Sequence, residues 1–280
     1  MPSWSLLTEV IALLLIAVLL ISLINYRKIN SHTLKMYRIC LILSGCTVIL
    51  NMFCVILIRN SRQVPKGINV ALNSAYFMME IILCSATAMY IFEKMLEHVY
   101  DKFCIVRART VLRVLTVLYA VVLAINLKTG IIFYFDETGG YHRGSLNSLG
   151  YAVLGIEMCL LLICYVRHAS SVGKDMRHAI RLFVPANIVF VILQIADKNL
   201  LLNGLIAAFV DLILFISFLC QRREEDSVTG IGNRDGFYGE LAPVSYTHLR
   251  SRYLRFSSLY LSGWKCFPEI IRSKLICLIM

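Results

Sequence analysis

Three carboxylates sit where carboxylates are rare. Glu80, Glu157 and Asp211 each lie near the centre of a long apolar stretch, and a charged side chain at mid-membrane costs about 2.5 to 3.5 kcal/mol even on the mildest insertion scale. If they face a common cavity, they can bind a cation or an amine-bearing ligand, or act as a proton-sensitive cluster through burial and mutual repulsion. The alternative is structural: each is protonated and hydrogen-bonded to a polar helix neighbour such as Asn73, Asn187 or Gln194. No Lys or Arg sits at matching depth to pair with them. A second stretch with chemical potential follows the last apolar block. There Thr229, Gly230, Gly232 and Asn233 supply turn chemistry, and Asp226 and Arg234 can pair across it. It lacks the Lys-Ser/Thr of a P-loop and does not match G-x-G-x-x-G, so nucleotide binding is not read here.

The elements that must position these groups follow from composition. With 59% hydrophobic and only 16% charged residues, and a mean hydropathy of +0.73, the chain is unlike a soluble domain. Its apolar residues gather into blocks near the ~20 residues that a helix needs to cross the hydrocarbon core. Seven such blocks run over residues 6–24, 37–58, 68–92, 111–127, 149–166, 182–196 and 200–220. The expected fold class is therefore all-α, a polytopic membrane helix bundle with a short cytoplasmic tail. The sixth block is the weakest, being short, opened by Arg181 and interrupted by Pro185, and it could be only half inserted. The first block has no preceding Lys or Arg and no A-x-A-like cleavage site, and reads as a retained anchor.

Orientation follows from basic residues, which resist translocation and collect in cytoplasmic loops. Arg27, Lys28, Lys35, Arg38, Lys94, Lys102, Arg107, Arg109, Arg113, Arg167, Lys174, Arg177 and Arg181 fall in odd-numbered connections. Only Arg59, Arg62, Lys66, Lys128, Arg143 and Lys198 fall in even ones. The N-terminus is expected outside and the C-terminus inside. This asymmetry and a basic tail account for the net charge of +11, and no nucleic-acid partner is needed. The ten cysteines show no C-x-x-C spacing, and those within spans read as small apolar residues. The histidines are scattered and no metal site is expected.

The longest outer connection, residues 128–147, holds the run IIFYF, then DETGG, then YHRGSL. That pattern suits a small hairpin lid, and equally a plain connector with interfacial aromatics. Other outer loops are too short for a folded domain, so the expected partners are the lipid bilayer and a small ligand met in or above the bundle.

The segment Asp226-Ser227-Val228-Thr229-Gly230-Ile231-Gly232-Asn233-Arg234, with Phe237, resembles the D-x-L-T-G-L-x-N-R-x-x-F opening of the GGDEF domain of diguanylate cyclases. Asp226, Thr229, Gly230, Asn233, Arg234 and Phe237 are identical to the pattern, whereas Val228 and Ile231 replace leucines. The resemblance covers about twelve residues at a helix exit and follows a multi-span region, as such domains often do. It implies a sensor in the bacterial inner membrane, a possible homodimer, and an output that condenses two GTP into cyclic di-GMP with Mg. It stops short of the catalytic body. From Gly236 to Met280 there is no aspartate, and the only acids are Glu240 and Glu269. The carboxylates that two-metal phosphoryl transfer requires are missing, so this chain offers no catalytic, cofactor-binding or metal residue for it.

The expected organisation is a sensor domain over 1–220, a signalling helix and GGDEF opening over 221–241, and a basic tail over 242–280. The competing reading is a small seven-span receptor or transporter with no cyclase output. The tail has its own oddity. Val244-Ser245-Tyr246-Thr247-His248-Leu249 resembles the translation of a transposase adapter from sequencing-library preparation, so the frame is expected to be lost or joined to foreign sequence near Ala242. Sequencing the source genome across this point tests that reading. A frame that opens on acid-rich strands and a G-G-D/E-E-F hairpin within the next ~150 codons, the rest of an ordinary domain, is the expected result. An intact printed tail in the natural transcript overturns it.

Overall fold

A computed structural model describes residues 6–24, 32–97, 102–196 and 201–223. The GGDEF-like residues Asp226, Thr229, Gly230, Asn233, Arg234 and Phe237, and the tail over 242–280, lie outside the described residues. The chain divides into two units, Met1–Leu219 and Cys220–Met280, and of the second only the helical end at residues 220–223 is described.

Among the described residues, the elements in chain order are α1 (Leu7–Ile24), α2 (His32–Arg59), α3 (Lys66–Met95), α4 (Lys102–Thr129), β1 (Phe133–Phe135), β2 (Tyr141–Arg143), α5 (Leu149–Arg167), α6 (Lys174–Ala196) and α7 (Asn203–Arg223). All seven helices are long and apolar enough to cross a membrane. Several extend beyond their apolar blocks: α2, α3 and α4 carry basic residues on added turns, because a helix needs no apolar side chains where it leaves the hydrocarbon. The sixth block also departs from expectation. It belongs to a 23-residue helix that begins eight residues earlier and runs through Pro185. Pro185 withholds one backbone donor, and the Asn187 amide donates to the Phe183 carbonyl in the same turn at 2.9 Å.

Helix α3 is the centre of the close packing, lying against α2, α4 and α5, and α1 packs on α2. Helices α6 and α7 join through larger side chains. The Tyr37 ring on α2 stacks on Phe215 of α7, and its hydroxyl donates to the Asp211 carbonyl at 2.8 Å. The apolar core runs from Ala12 and Ile16 through Tyr37, Phe92 and Met95 to Leu214. Outward faces are apolar as well. Leu14, Ile163 and Val166 are 63%, 65% and 74% exposed, an arrangement that water disfavours and lipid tails do not.

Residues 133–143 form the hairpin that the sequence pattern anticipated, with Phe133 opposite Arg143, Tyr134 opposite His142 and Phe135 opposite Tyr141. Asp136 organises its turn, accepting hydrogen bonds from Thr138 Oγ1, the Gly140 N–H and His142 Nε2 at 2.7, 2.7 and 2.8 Å. Gly139 takes φ +83°, a left-handed conformation that glycine adopts without penalty. Asn126 at the end of α4 anchors the strand, its Oδ1 accepting from the N–H groups of Ile132 and Phe133 at 2.6 and 3.2 Å. Phe133 then stacks on Phe77 of α3.

Two predictions follow from these contacts. The hydrogen bonds from His142, Thr138 and Gly140 hold the Asp136 carboxyl well below its ordinary value of 3.8. A depressed folded-state pKa gives stability that is complete above pH ~4 and is lost only in stronger acid. Hairpin order, followed by amide hydrogen exchange at 133–143, is therefore expected to hold down to pH ~4, and Asp136→Asn to loosen it at neutral pH. Second, Asn126→Ala removes the acceptor for two buried amides and is expected to cost about 1–3 kcal/mol, read as a lower unfolding midpoint in detergent.

Candidate functional site

Helices α3, α5 and α7 each bring one acid to the same place. Glu80, Glu157 and Asp211 all line one cavity of about 140 Å³, comparable to the ~150 Å³ that holds a benzene-sized molecule in a protein interior. The remaining wall comes from α2 through Ser44, Thr47 and Asn51, from α4 through Tyr119, and from α6 through Phe183 and Asn187. Asn147, Tyr151 and Asn203 line it toward the hairpin end. Among the described residues no Lys, Arg or His lines it. Most of the wall is apolar, with a few convergent polar groups, the usual composition of a small-ligand site.

The three acids differ in surroundings. Glu157 is 1% exposed and accepts a hydrogen bond from Ser85 Oγ at 2.6 Å through Oε1, whereas its buried Oε2 has no hydrogen-bond partner. Asp211 is equally buried; Ser44 lies beside it, but neither Asp211 Oδ2 nor Ser44 Oγ makes a close hydrogen bond. Glu80 is half-buried one turn from Tyr76, whose hydroxyl accepts from Asn203 Nδ2 of α7 at 2.6 Å. The neighbours that could have neutralised these acids structurally turn elsewhere. Asn73 donates to the Asn69 carbonyl and Asn187 to the Phe183 carbonyl, each within its own helix. Gln194 is buried with its Oε1 unpartnered.

A fourth acid, Glu9, was not singled out from the sequence. It is fully buried on α1 and accepts from Asn51 Nδ2 at 3.1 Å and from the Gly204 N–H at 3.4 Å. Because Asn51 and Gly204 both line the cavity, Glu9 stands directly behind its wall and fastens α1 to α2 and α7. A Cβ added at Gly204 would overlap the Glu9 carboxyl, so glycine there permits the approach. The signal that was available is an acid one turn inside the first apolar block. Ser85 is the other omission, since a serine in an apolar helix usually bonds its own backbone.

Chemically, the cavity suits a positively charged guest. Among the described residues no group of three His, Cys, Asp or Glu side chains is close enough to hold a metal ion. The acids are therefore arranged around a space rather than around a point, which fits an organic ammonium or a hydrated cation better than a bare metal. Set against protein-family models, curated proteins and solved structures, the chain has no match.

Cys84 reports on the field in this cavity, because it lines the wall and is a free thiol. In a variant whose other cysteines are alanine, a cationic thiosulfonate is expected to label Cys84 faster than an anionic one of similar size by roughly tenfold or more. Replacing all three acids by their amides is expected to erase the preference, read by intact-mass spectrometry. Equal labelling of the parent by both reagents would show that the cavity carries no negative field.

Proposed function

We propose that this chain is the membrane sensor module of a bacterial GGDEF-type signalling protein, and that the acid-lined cavity is where it binds a small amine or comparable cation. The observation that carries the sensing part is the convergence of Glu80, Glu157 and Asp211 on one cavity with no basic residue in its lining among the described residues. Binding a cation there offsets the cost of three carboxyls in an apolar bundle, so the apolar setting itself supplies affinity and charge selectivity.

The output part rests on sequence. Helix α7 carries Asp211 and reaches Arg223, three residues before the GGDEF-like segment that opens at Asp226. A ligand that moves α7 acts on the covalent connection to that segment, which is the simplest route for coupling. In this reading the protein is a multi-pass protein of the inner membrane with its N-terminus outside, the hairpin at the outer face and α7 ending in the cytoplasm. The segment after Phe237 has only Glu240 and Glu269 as acids, a donor set that does not fit Mg and GTP. No cyclase step is therefore assigned to this chain; the cyclic di-GMP output belongs to a form with a complete GGDEF domain.

Thermal unfolding of the chain in lipid nanodiscs, with and without a panel of small primary to quaternary amines, tests the sensing claim. A ligand at roughly a hundred times its Kd adds about 2.7 kcal/mol of stability, a shift of several degrees. At least one amine is expected to give this shift, and Asp211→Asn and Glu80→Gln to abolish it. If no amine or alkali cation stabilises the parent chain, the cavity is not a cation sensor.

A further inference from the structure

We infer that Glu157 exchanges its proton with the end of the bundle opposite the hairpin, through the hydroxyls of Ser85 and Thr116 and a second cavity. That cavity, of about 540 Å³, lies between the start of α2, the second half of α3 and the first half of α4. Ser85 and Thr116 line it, together with Glu93, Arg109, Arg113 and His32. With this volume and these charges it accommodates water readily.

Ser85 connects the two cavities. Its hydroxyl lies 2.6 Å from Glu157 Oε1, in the wall of the central cavity, and 3.0 Å from Thr116 Oγ1, in the second. Thr116 in turn donates to the Leu112 carbonyl at 2.9 Å. Hydroxyls in apolar helices are ordinarily satisfied by the carbonyl one turn back, as Thr47, Thr110 and Thr129 are here. Ser85 instead reaches across to α4 and α5, and so forms a continuous hydroxyl chain from a buried acid to an open, largely apolar cleft that also carries Glu93, Arg109 and Arg113.

Such a chain can run in either direction. With Glu157 neutral, its O–H donates to Ser85, Ser85 to Thr116 and Thr116 to the Leu112 carbonyl or to water in the second cavity. For release, the Glu157 O–H bond breaks as its proton moves to Ser85 Oγ. The Ser85 proton moves to Thr116 Oγ1, and the Thr116 proton moves to a water molecule. One proton leaves, Glu157 becomes a carboxylate, and both hydroxyls are regenerated with reversed hydrogen bonds. Uptake is the same sequence backwards. No electron transfer or other reactant is involved.

The charges around the path differ between its ends. On the central side Glu157 shares the cavity wall with Glu80 and Cys84 of α3, Tyr119 of α4, Tyr151 of its own helix and Asp211 of α7, while α2 and α6 contribute no titratable group to that wall among the described residues. On the other side Glu93 accepts from Arg109 Nη2 at 2.9 Å and lies 3.4 Å from His32 Nδ1, and Arg113 adds a further cation. A carboxylate left on Glu157 thus shares a mostly apolar cavity with further acids and phenols. Proton return from the second cavity relieves that arrangement.

The inference is independent of any amine ligand and of the cyclase reading. The full chain is reconstituted in liposomes of determined orientation, and the Glu157 carboxyl band is assigned in infrared difference spectra by its loss in Glu157→Gln. A pH step on the side bearing Glu93 and Arg109 is expected to change this band, whereas a step on the hairpin side alone is expected not to. Ser85→Ala and Thr116→Val are expected to slow the response by roughly a hundredfold, and Thr116→Ser to restore it. Thermal unfolding of each variant separates loss of the relay from loss of the fold. A band that follows the hairpin side, that keeps its rate in Ser85→Ala, or that never responds to pH overturns the inference.

Discussion

A carboxyl group placed in an apolar helix bundle has to be met by something, and here that requirement shapes the interior. Hydrocarbon offers no hydrogen-bond partner, so each acid is driven to the inside of the bundle and to whatever polar groups or space can be arranged there. Glu9 is met on one oxygen by the Asn51 amide and a backbone N–H at the start of α7, and its other oxygen is left without a partner. Glu157 is met by Ser85 on one oxygen and left without a partner on the other. Glu80 and Asp211 border a cavity instead of a wall of side chains.

The acids differ in whether they border the cavity or stand behind its wall. Glu9 closes a joint between three helices, and its glycine neighbour at position 204 leaves room for no other side chain. Glu157 Oε2 and Asp211 Oδ2 have unused hydrogen-bonding capacity, as Glu9 Oε2 does behind the wall, and such capacity is costly in a protein interior unless something occupies it. Tyr37 shows that the bundle can satisfy polar atoms fully where function does not demand otherwise. Its hydroxyl reaches the Asp211 backbone, and its ring is enclosed by Tyr90 and Phe215.

Much of the fold was legible because hydropathy and length report directly on the lipid-facing majority of each helix. The hairpin was one of two readings of the 128–147 connection, since IIFYF followed by a Gly-rich turn suits a hairpin and a plain aromatic connector alike, and cross-strand pairing decides between them. Helix ends were not legible. The first turns of α4 and α6 carry Lys102, Arg107, Arg109, Lys174, Arg177 and Arg181, which read as loop and yet continue the helices. The cavity was legible only through its acids, whose rarity in apolar blocks marks them individually. Their partners were hidden. Ser85 and Glu157 are 72 residues apart, and Glu9 and Gly204 are 195 apart, so each pairing depends on how helices cross, which no local pattern encodes. The GGDEF-like segment is the opposite case, readable as a motif and lying outside the described residues.

The placement of Asp211 gives α7 two kinds of contact that respond to the cavity. Its carboxyl borders the space where a cation would sit, and its backbone carbonyl holds the Tyr37 hydroxyl, so any shift of this turn is felt by α2 as well. At the other end of the same helix, Asn203 bonds Tyr76, one turn from Glu80, and Gly204 bonds Glu9. Helix α7 is therefore gripped at its first turn and at its middle by groups whose hydrogen bonding depends on charge, while its last turn makes the covalent link to the segment beyond Arg223. In the sensor reading proposed above, a change of charge in the cavity alters the balance between those two grips, and that balance is what would bias α7 toward one arrangement or another.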